Sequence, residues 1–176
     1  MDMLVLQGAC GLCCGLVGGM FLLAGLPKLA DHDSFLGVIA SYRLVPSSLV
    51  AVAAWGIALA ETLAAVALLS GMAPRPGGLL SVALVAMFTL AMGINVARGR
   101  TALSCGCMPG SDGEHLSWKL VARTALCALP ALVPVWIALP QATVLRVESI
   151  VGGVCLFMMW RATRLLAPVN TEGLSS

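Results

Sequence analysis

Charge is what this sequence most lacks. Of 176 residues only 18 are charged, ten Lys+Arg and eight Asp+Glu, while 60% are hydrophobic. A soluble domain carries about 25% charged residues, and a globule of this size could not cover its surface with 10%. Aromatic residues are also scarce, at 5% with one Tyr. A net charge of +2 supplies no basic stripe for a polyanion. Soluble enzyme, nucleic-acid binder and disordered linker are thereby excluded. No catalytic triad, phosphate loop or zinc-hydrolase motif is present, and nothing in the sequence calls for a cofactor or a resident metal.

The positions of the missing charges are more informative than their number. None falls between Met3 and Pro27, between Pro76 and Ala97, or between Thr124 and Leu145, and between Ser48 and Pro74 the sole charge is Glu61. A membrane-spanning helix needs about 20 apolar residues, and in hydrocarbon the backbone must satisfy its own hydrogen bonds, so each stretch spans as a helix. These gaps predict four spans, at about 4–26, 48–72, 77–97 and 118–139. A fifth, about 144–166, has a cleanly apolar centre of only 12 residues, with Arg146 and Glu148 at one interface and Arg161 and Arg164 snorkelling at the other. The expected fold is an all-α, polytopic bundle forming one transmembrane domain over 1–176, multi-pass in the cell inner membrane with the lipid bilayer as its surroundings. The acidic start Met1-Asp2-Met3 and the 25-residue run after it do not fit a cleavable signal peptide, so the first span is expected to be retained.

Four loops follow. Loop 1, about 27–46, closes on Pro46-Ser47-Ser48, an expected opening cap for the next helix. Loop 2 is expected as a tight turn at Pro74-Arg75-Pro76-Gly77-Gly78, and loop 4 at Pro140-Gln141-Ala142. Loop 3, about 98–117, is the longest and most polar. Lys28, Arg43, Arg98, Arg100, Lys119, Arg123, Arg161 and Arg164 would lie on one side, against Arg75 and Arg146 on the other. The positive-inside rule then puts loops 1 and 3 in the cytoplasm and the N-terminus outside.

The seven cysteines fall in three places. Cys127 and Cys155 stand alone within spans, where a thiol usually packs as a small hydrophobe. Cys10, Cys13 and Cys14 share a helix face in span 1, but Gly11, Gly15 and Gly19 around them carry two G-x-x-x-G spacings, and close helix packing is the commoner explanation. Cys105-Gly106-Cys107 is different. It lies in the polar loop, near Arg98, Arg100 and Lys119, where positive neighbours raise the thiolate fraction, and a ring closed across one residue would be strained and labile. Cys105 and Cys107 are therefore the candidate redox pair. A soft-metal site or a structural role are the alternatives.

Glu61 is the lone acid within a span, and such a group usually faces the bundle interior. Asn95, Lys28 and Arg123 are its candidate polar partners. A structural interhelix hydrogen bond is the simpler account, a proton relay the sharper one. His32 and His115 lie in loops and are expected to be solvated.

The ordered set Phe21-Leu22-Leu23-Ala24-Gly25-Leu26-Pro27-Lys28-Leu29, Ser41-Tyr42-Arg43-Leu44-Val45-Pro46, Glu61, Ile94-Asn95-Val96-Ala97-Arg98-Gly99-Arg100, Cys105-Gly106-Cys107, Leu116-Ser117-Trp118 and Arg123 resembles the methylamine utilisation MauE family, within the DoxX-like group of small membrane proteins. The resemblance covers about 16–130. The span-1 cysteines are not part of it. It implies an accessory role in processing, transport or maturation of the methylamine dehydrogenase β (small) subunit, beside a thioredoxin-like partner of the MauD type. Such a factor would support disulfide formation by thiol–disulfide exchange rather than act as a stand-alone enzyme. Two expectations then pull apart: the basic loops put Cys105 and Cys107 inside, whereas the client subunit matures outside. Either the charge rule fails here, or the protein carries reducing equivalents across the membrane with the span-1 thiols serving the outer side. A soft-metal transporter, since Cys13-Cys14 with a loop C-x-C resembles mercury-transport membrane proteins, and a non-catalytic assembly scaffold are the competing functions.

Overall fold

The computed structural model describes residues 2–103 and 116–166. Cys105, Cys107 and His115 lie outside them. Seven α-helices occur among the described residues: α1 (Asp2–Ala30), α2 (His32–Tyr42), α3 (Val50–Leu69), α4 (Pro74–Ala97), α5 (Trp118–Leu126), α6 (Ala128–Trp136) and α7 (Thr143–Leu166). Five segments are long and apolar enough to cross a membrane, namely Met3–Ala30, Ser47–Leu69, Pro74–Ala97, Trp118–Trp136 and Thr143–Arg164. The fifth expected span is thus present. Leu59, Leu63, Val66, Leu90, Leu129 and Met159 point outward, as suits a bundle whose solvent is lipid.

Packing is tightest where side chains are smallest. A Cβ on Gly15 would overlap the Ile150 carbonyl, and one on Gly153 would overlap the Leu12 carbonyl, so α1 and α7 meet backbone to backbone. Gly11 faces Ser149, Gly15 faces Ile150 and Val154, and Gly19 faces Phe157. Both series rise together, so α1 and α7 are parallel. Against α3 the order reverses, with Gly18 on Leu68 and Leu69 and Gly25 on Glu61 and Thr62, so α1 and α3 are antiparallel. With five alternating spans, loops 1 and 3 share one end of the bundle, and loops 2 and 4 share the other.

Four local expectations need correction. Loop 1 is largely helical: the Asp31 carboxylate accepts from the Ser34 backbone N–H at 3.3 Å and from its hydroxyl at 2.7 Å, opening α2, whose Phe35 and Tyr42 are buried. These two bonds hold the Asp31 carboxyl below its ordinary range. The Pro46-Ser47-Ser48 trio makes no side-chain cap and instead forms a single 3₁₀ turn, Ser47–Leu49. Pro74 to Gly78 are not the turn but the start of α4, where a proline without an N–H is at home. The turn itself is 70–73, with Gly71 at φ +65°. Finally, span 4 is interrupted at Cys127. Pro130 cannot donate to the Leu126 carbonyl and its ring crowds that oxygen, so α5 ends there and α6 restarts.

Candidate functional site

Among the described residues, two clusters built on Glu61 and on Asn95 lie inside the bundle, so the structure separates what the sequence had grouped around Glu61. Lys28, in the last turn of α1, places its Nζ 2.6 Å and 2.7 Å from the two carboxylate oxygens of Glu61. The residues are 7% and 1% exposed. Glu61 stands 11 residues after Val50 and eight before Leu69, about 16 Å and 12 Å from the ends of α3 at 1.5 Å per residue. The pair is therefore deep. The Phe35 and Phe88 rings cover the ammonium, with centroids 4.8 Å and 5.0 Å from Nζ, adding a cation–π attraction. Of the three partners considered for Glu61, Lys28 is the one brought to it. The pair joins α1 to α3 at their inner faces and, through the two rings, fastens α2 and α4 to the same point.

Asn95 belongs to a second arrangement nearer the loop-3 end. Fully buried, it donates from Nδ2 to the Ala91 carbonyl at 3.0 Å and accepts from Arg100 Nη1 at 3.0 Å. Arg100 also donates to the Tyr42 carbonyl at 3.1 Å and the Ser41 carbonyl at 2.7 Å. A guanidinium at the C-terminus of α2 completes carbonyls that the helix leaves open and complements its dipole. Arg100 was counted as a loop charge; its role as a strap between α4 and α2 has no signal in sequence, because its partners are backbone oxygens. Arg123 falls in the last turn of α5, and its carbonyl accepts from the Cys127 thiol at 3.5 Å.

This strap fixes the base of the thiol-bearing segment. Leu116 N–H donates to the Thr101 carbonyl at 3.0 Å, so the two ends of the stretch that carries Cys105 and Cys107 are joined. Leu116 is 1% exposed and packs with Tyr42, Met92, Leu120 and Val121. Ser117 then caps α5, accepting from the Leu120 N–H at 3.3 Å. Both anchors of the loop are thereby fixed: one by Arg100, the other by a buried leucine and a capped helix.

Of the other thiols, Cys10, Cys13 and Cys14 lie in the first half of α1. Cys10 and Cys14 are 0% exposed within the apolar core, and Cys13 is half-buried. Cys10 donates to the Ile137 carbonyl at 3.1 Å, which places it beside loop 4. Cys155 faces outward, and Cys127 is half-buried at the α5–α6 junction. His32 is not solvated as expected. It stacks on Trp55 with centroids 4.0 Å apart, and neither ring nitrogen has a hydrogen-bond partner among the described residues.

Fold and buried polar groups together define a five-span α-helical membrane protein with a buried Lys28–Glu61 ion pair and a group of thiols in its first span. Comparison with known proteins narrows this class. The chain belongs to the methylamine utilisation protein MauE family, whose model matches residues 6–137. It is 38% identical over 119 residues to methylamine utilization protein MauE of Methylorubrum extorquens, covering 68% of this chain and 63% of that one. The corresponding protein of Paracoccus denitrificans is 36% identical over 124 residues, covering 65% and 67%. That of Paracoccus versutus is 31% identical over 153 residues, covering 85% and 82%. No solved structure matches.

Proposed function

We infer that this protein is an inner-membrane accessory factor of methylamine utilisation, acting in maturation, processing or transport of the methylamine dehydrogenase β subunit. In this reading Cys105 and Cys107 exchange disulfides with a thioredoxin-like partner of the MauD type. One thiolate attacks the partner's disulfide, a mixed disulfide forms, and the second thiol resolves it. The loop pair is oxidised by two electrons as the partner's disulfide is reduced, or the reverse. The observation that carries the reading is the fixed loop base. Arg100 on Ser41, Tyr42 and Asn95, and Leu116 on Thr101, hold both anchors of the segment bearing the two thiols, as a docking loop requires. Family membership supplies the pathway.

The test is Cys105→Ser and Cys107→Ser, each assayed in cells growing on methylamine for β subunit with its disulfides complete. Loss of that species in either variant is expected. Wild-type amounts in both would remove the redox role and leave an assembly scaffold.

A further inference from the structure

We propose that the N-terminal ends of α1 and α7 form a lipid site selective for a primary-amine headgroup. One acyl chain of a phosphatidylethanolamine lies in the groove between the two helices, and its ammonium meets the Glu148 carboxylate. This goes beyond the thiol chemistry of loop 3 and does not rest on it.

The groove exists because the glycine seam does not close along its whole length. A Cβ added at Gly11 would strike the Ser149 side chain, and one at Gly15 the Ile150 carbonyl, but at Gly8 it would meet nothing within 4 Å. The two helices therefore part toward their N-terminal ends. Leu4, Val5 and Leu12 stand on one side of the opening, Leu145 and Glu148 on the other, with Gly8 as part of the lining. The volume enclosed is about 480 Å³. Ser149 also borders it, but its hydroxyl is already committed to the Arg146 carbonyl at 2.9 Å.

Glu148 supplies the charge. It is the sixth residue of the span that begins at Thr143, about 7.5 Å along the helix from that residue, and an ionised group at that depth calls for a counter-charge. Among the described residues Glu148 has no ion pair and no hydrogen bond. Arg146 is the nearest cation in sequence, but residues two apart on a helix do not face each other. Its guanidinium is occupied instead by the Pro140 carbonyl at 3.1 Å and the Gln141 carbonyl at 3.3 Å. The exposed Glu148 carboxylate is thus left for a cation from outside the chain.

An apolar trough with one carboxylate on its edge suits an amphiphile better than a partner helix. From Leu4 to Leu12 the groove follows α1 for about 12 Å, and that length of a helix about 10 Å across would fill on the order of 900 Å³. The groove holds about half of that. A single file of methylenes needs far less room. Leu4 and Val5 are exposed, so a chain can enter sideways from the bilayer.

Hydrogen bonding selects the headgroup. A primary ammonium has three N–H donors and makes a charge-assisted bond to a carboxylate. The methylated ammonium of phosphatidylcholine has no N–H to give. Phosphatidylglycerol carries no cation and would bring its phosphate toward Glu148, where like charges repel. Phosphatidylethanolamine satisfies both the trough and the carboxylate. Bound there, it fills the wedge that the seam leaves open and steadies α7 against α1.

The experiment uses the full-length chain in detergent, titrated separately with phosphatidylethanolamine, phosphatidylcholine and phosphatidylglycerol of matched acyl chains. Bound lipid is counted by native mass spectrometry. One phosphatidylethanolamine per chain should bind at least fivefold more tightly than either of the others. Glu148→Gln should bring the three lipids within twofold of one another, with helix content by circular dichroism unchanged. Gly8→Leu should fill the groove and weaken phosphatidylethanolamine binding at least fivefold. Equal affinity for the three lipids in the unaltered protein, or a preference that survives Glu148→Gln, would overturn the proposal. So would a dimer in lipid-free detergent that Gly8→Leu breaks, which would give the groove to a second copy of this chain. Should Gly8→Leu fail to fold, the Glu148→Gln comparison still decides.

Discussion

Lys28 and Glu61 form a two-point ion pair, with Nζ 2.6 Å and 2.7 Å from the two carboxylate oxygens, deep between α1 and α3. Each ion loses hydration worth several kcal/mol, which the partner largely returns. Removing one member strands the other. Glu61→Gln and Lys28→Met should each lower stability by about 3–5 kcal/mol, read from unfolding in mixed detergent. The double variant should recover most of that loss and keep β-subunit maturation if the pair only fastens helices. A stable double variant that has lost function would instead assign the pair a proton-handling role.

Arg100 should behave as a strap rather than a generic positive charge. Arg100→Lys keeps the charge but cannot span Asn95, Ser41 and Tyr42 together, so it should resemble Arg100→Ala. Charge-assisted hydrogen bonds are worth about 1.5–3 kcal/mol, and partial exposure puts this set toward the lower end. Amide exchange at Leu116, whose N–H closes the loop base, should quicken roughly tenfold in both variants. Unchanged exchange in Arg100→Lys would mean that charge alone suffices.

The glycine seam offers a comparison within one helix. Gly15→Ala would drive a methyl into the Ile150 carbonyl and should cost about 1–3 kcal/mol or part α1 from α7. Gly8→Ala meets nothing within 4 Å and should be neutral or slightly stabilising through helix propensity. Thermal unfolding of the two side by side is the measurement. Equal effects would contradict the seam.

Orientation can be read from single cysteines, because loops 2 and 3 belong to opposite ends. The basic residues place loop 3 inside. Lys28, neutralised by Glu61, drops out of that count without reversing it. A membrane-impermeant maleimide applied to intact cells should therefore label a cysteine placed in loop 2 by Met72→Cys, an exposed position, in preference to Cys105 when each is the sole cysteine. Labelling of Cys105 would put the loop outside.

Much of this was legible in sequence, for identifiable reasons. Hydrocarbon tolerates so few charges that gaps in their distribution mark the spans, and a single acid within one, Glu61, announces itself. Its partner Lys28 was among three candidates because it closes the preceding span. The G-x-x-x-G spacings foretold close packing on α1, though not that α7 would be the partner. Helix α2 was missed because its charged neighbours read as loop, although Asp31 with Ser34 three residues on is a capping signal. Pro130 likewise carried the break in span 4. The Arg100 strap could not be foreseen, because backbone carbonyls have no letter in a sequence.

The parallel seam between α1 and α7 also sets an order of assembly. During synthesis α1 enters the membrane before α7, yet the glycine face of α1 is built to receive α7. Until the fifth span arrives, that face stays open to lipid or to the insertion machinery. Closure of the bundle is therefore a late, post-insertional event, and a chain cut short after loop 4 would leave a small-residue groove for quality control to find.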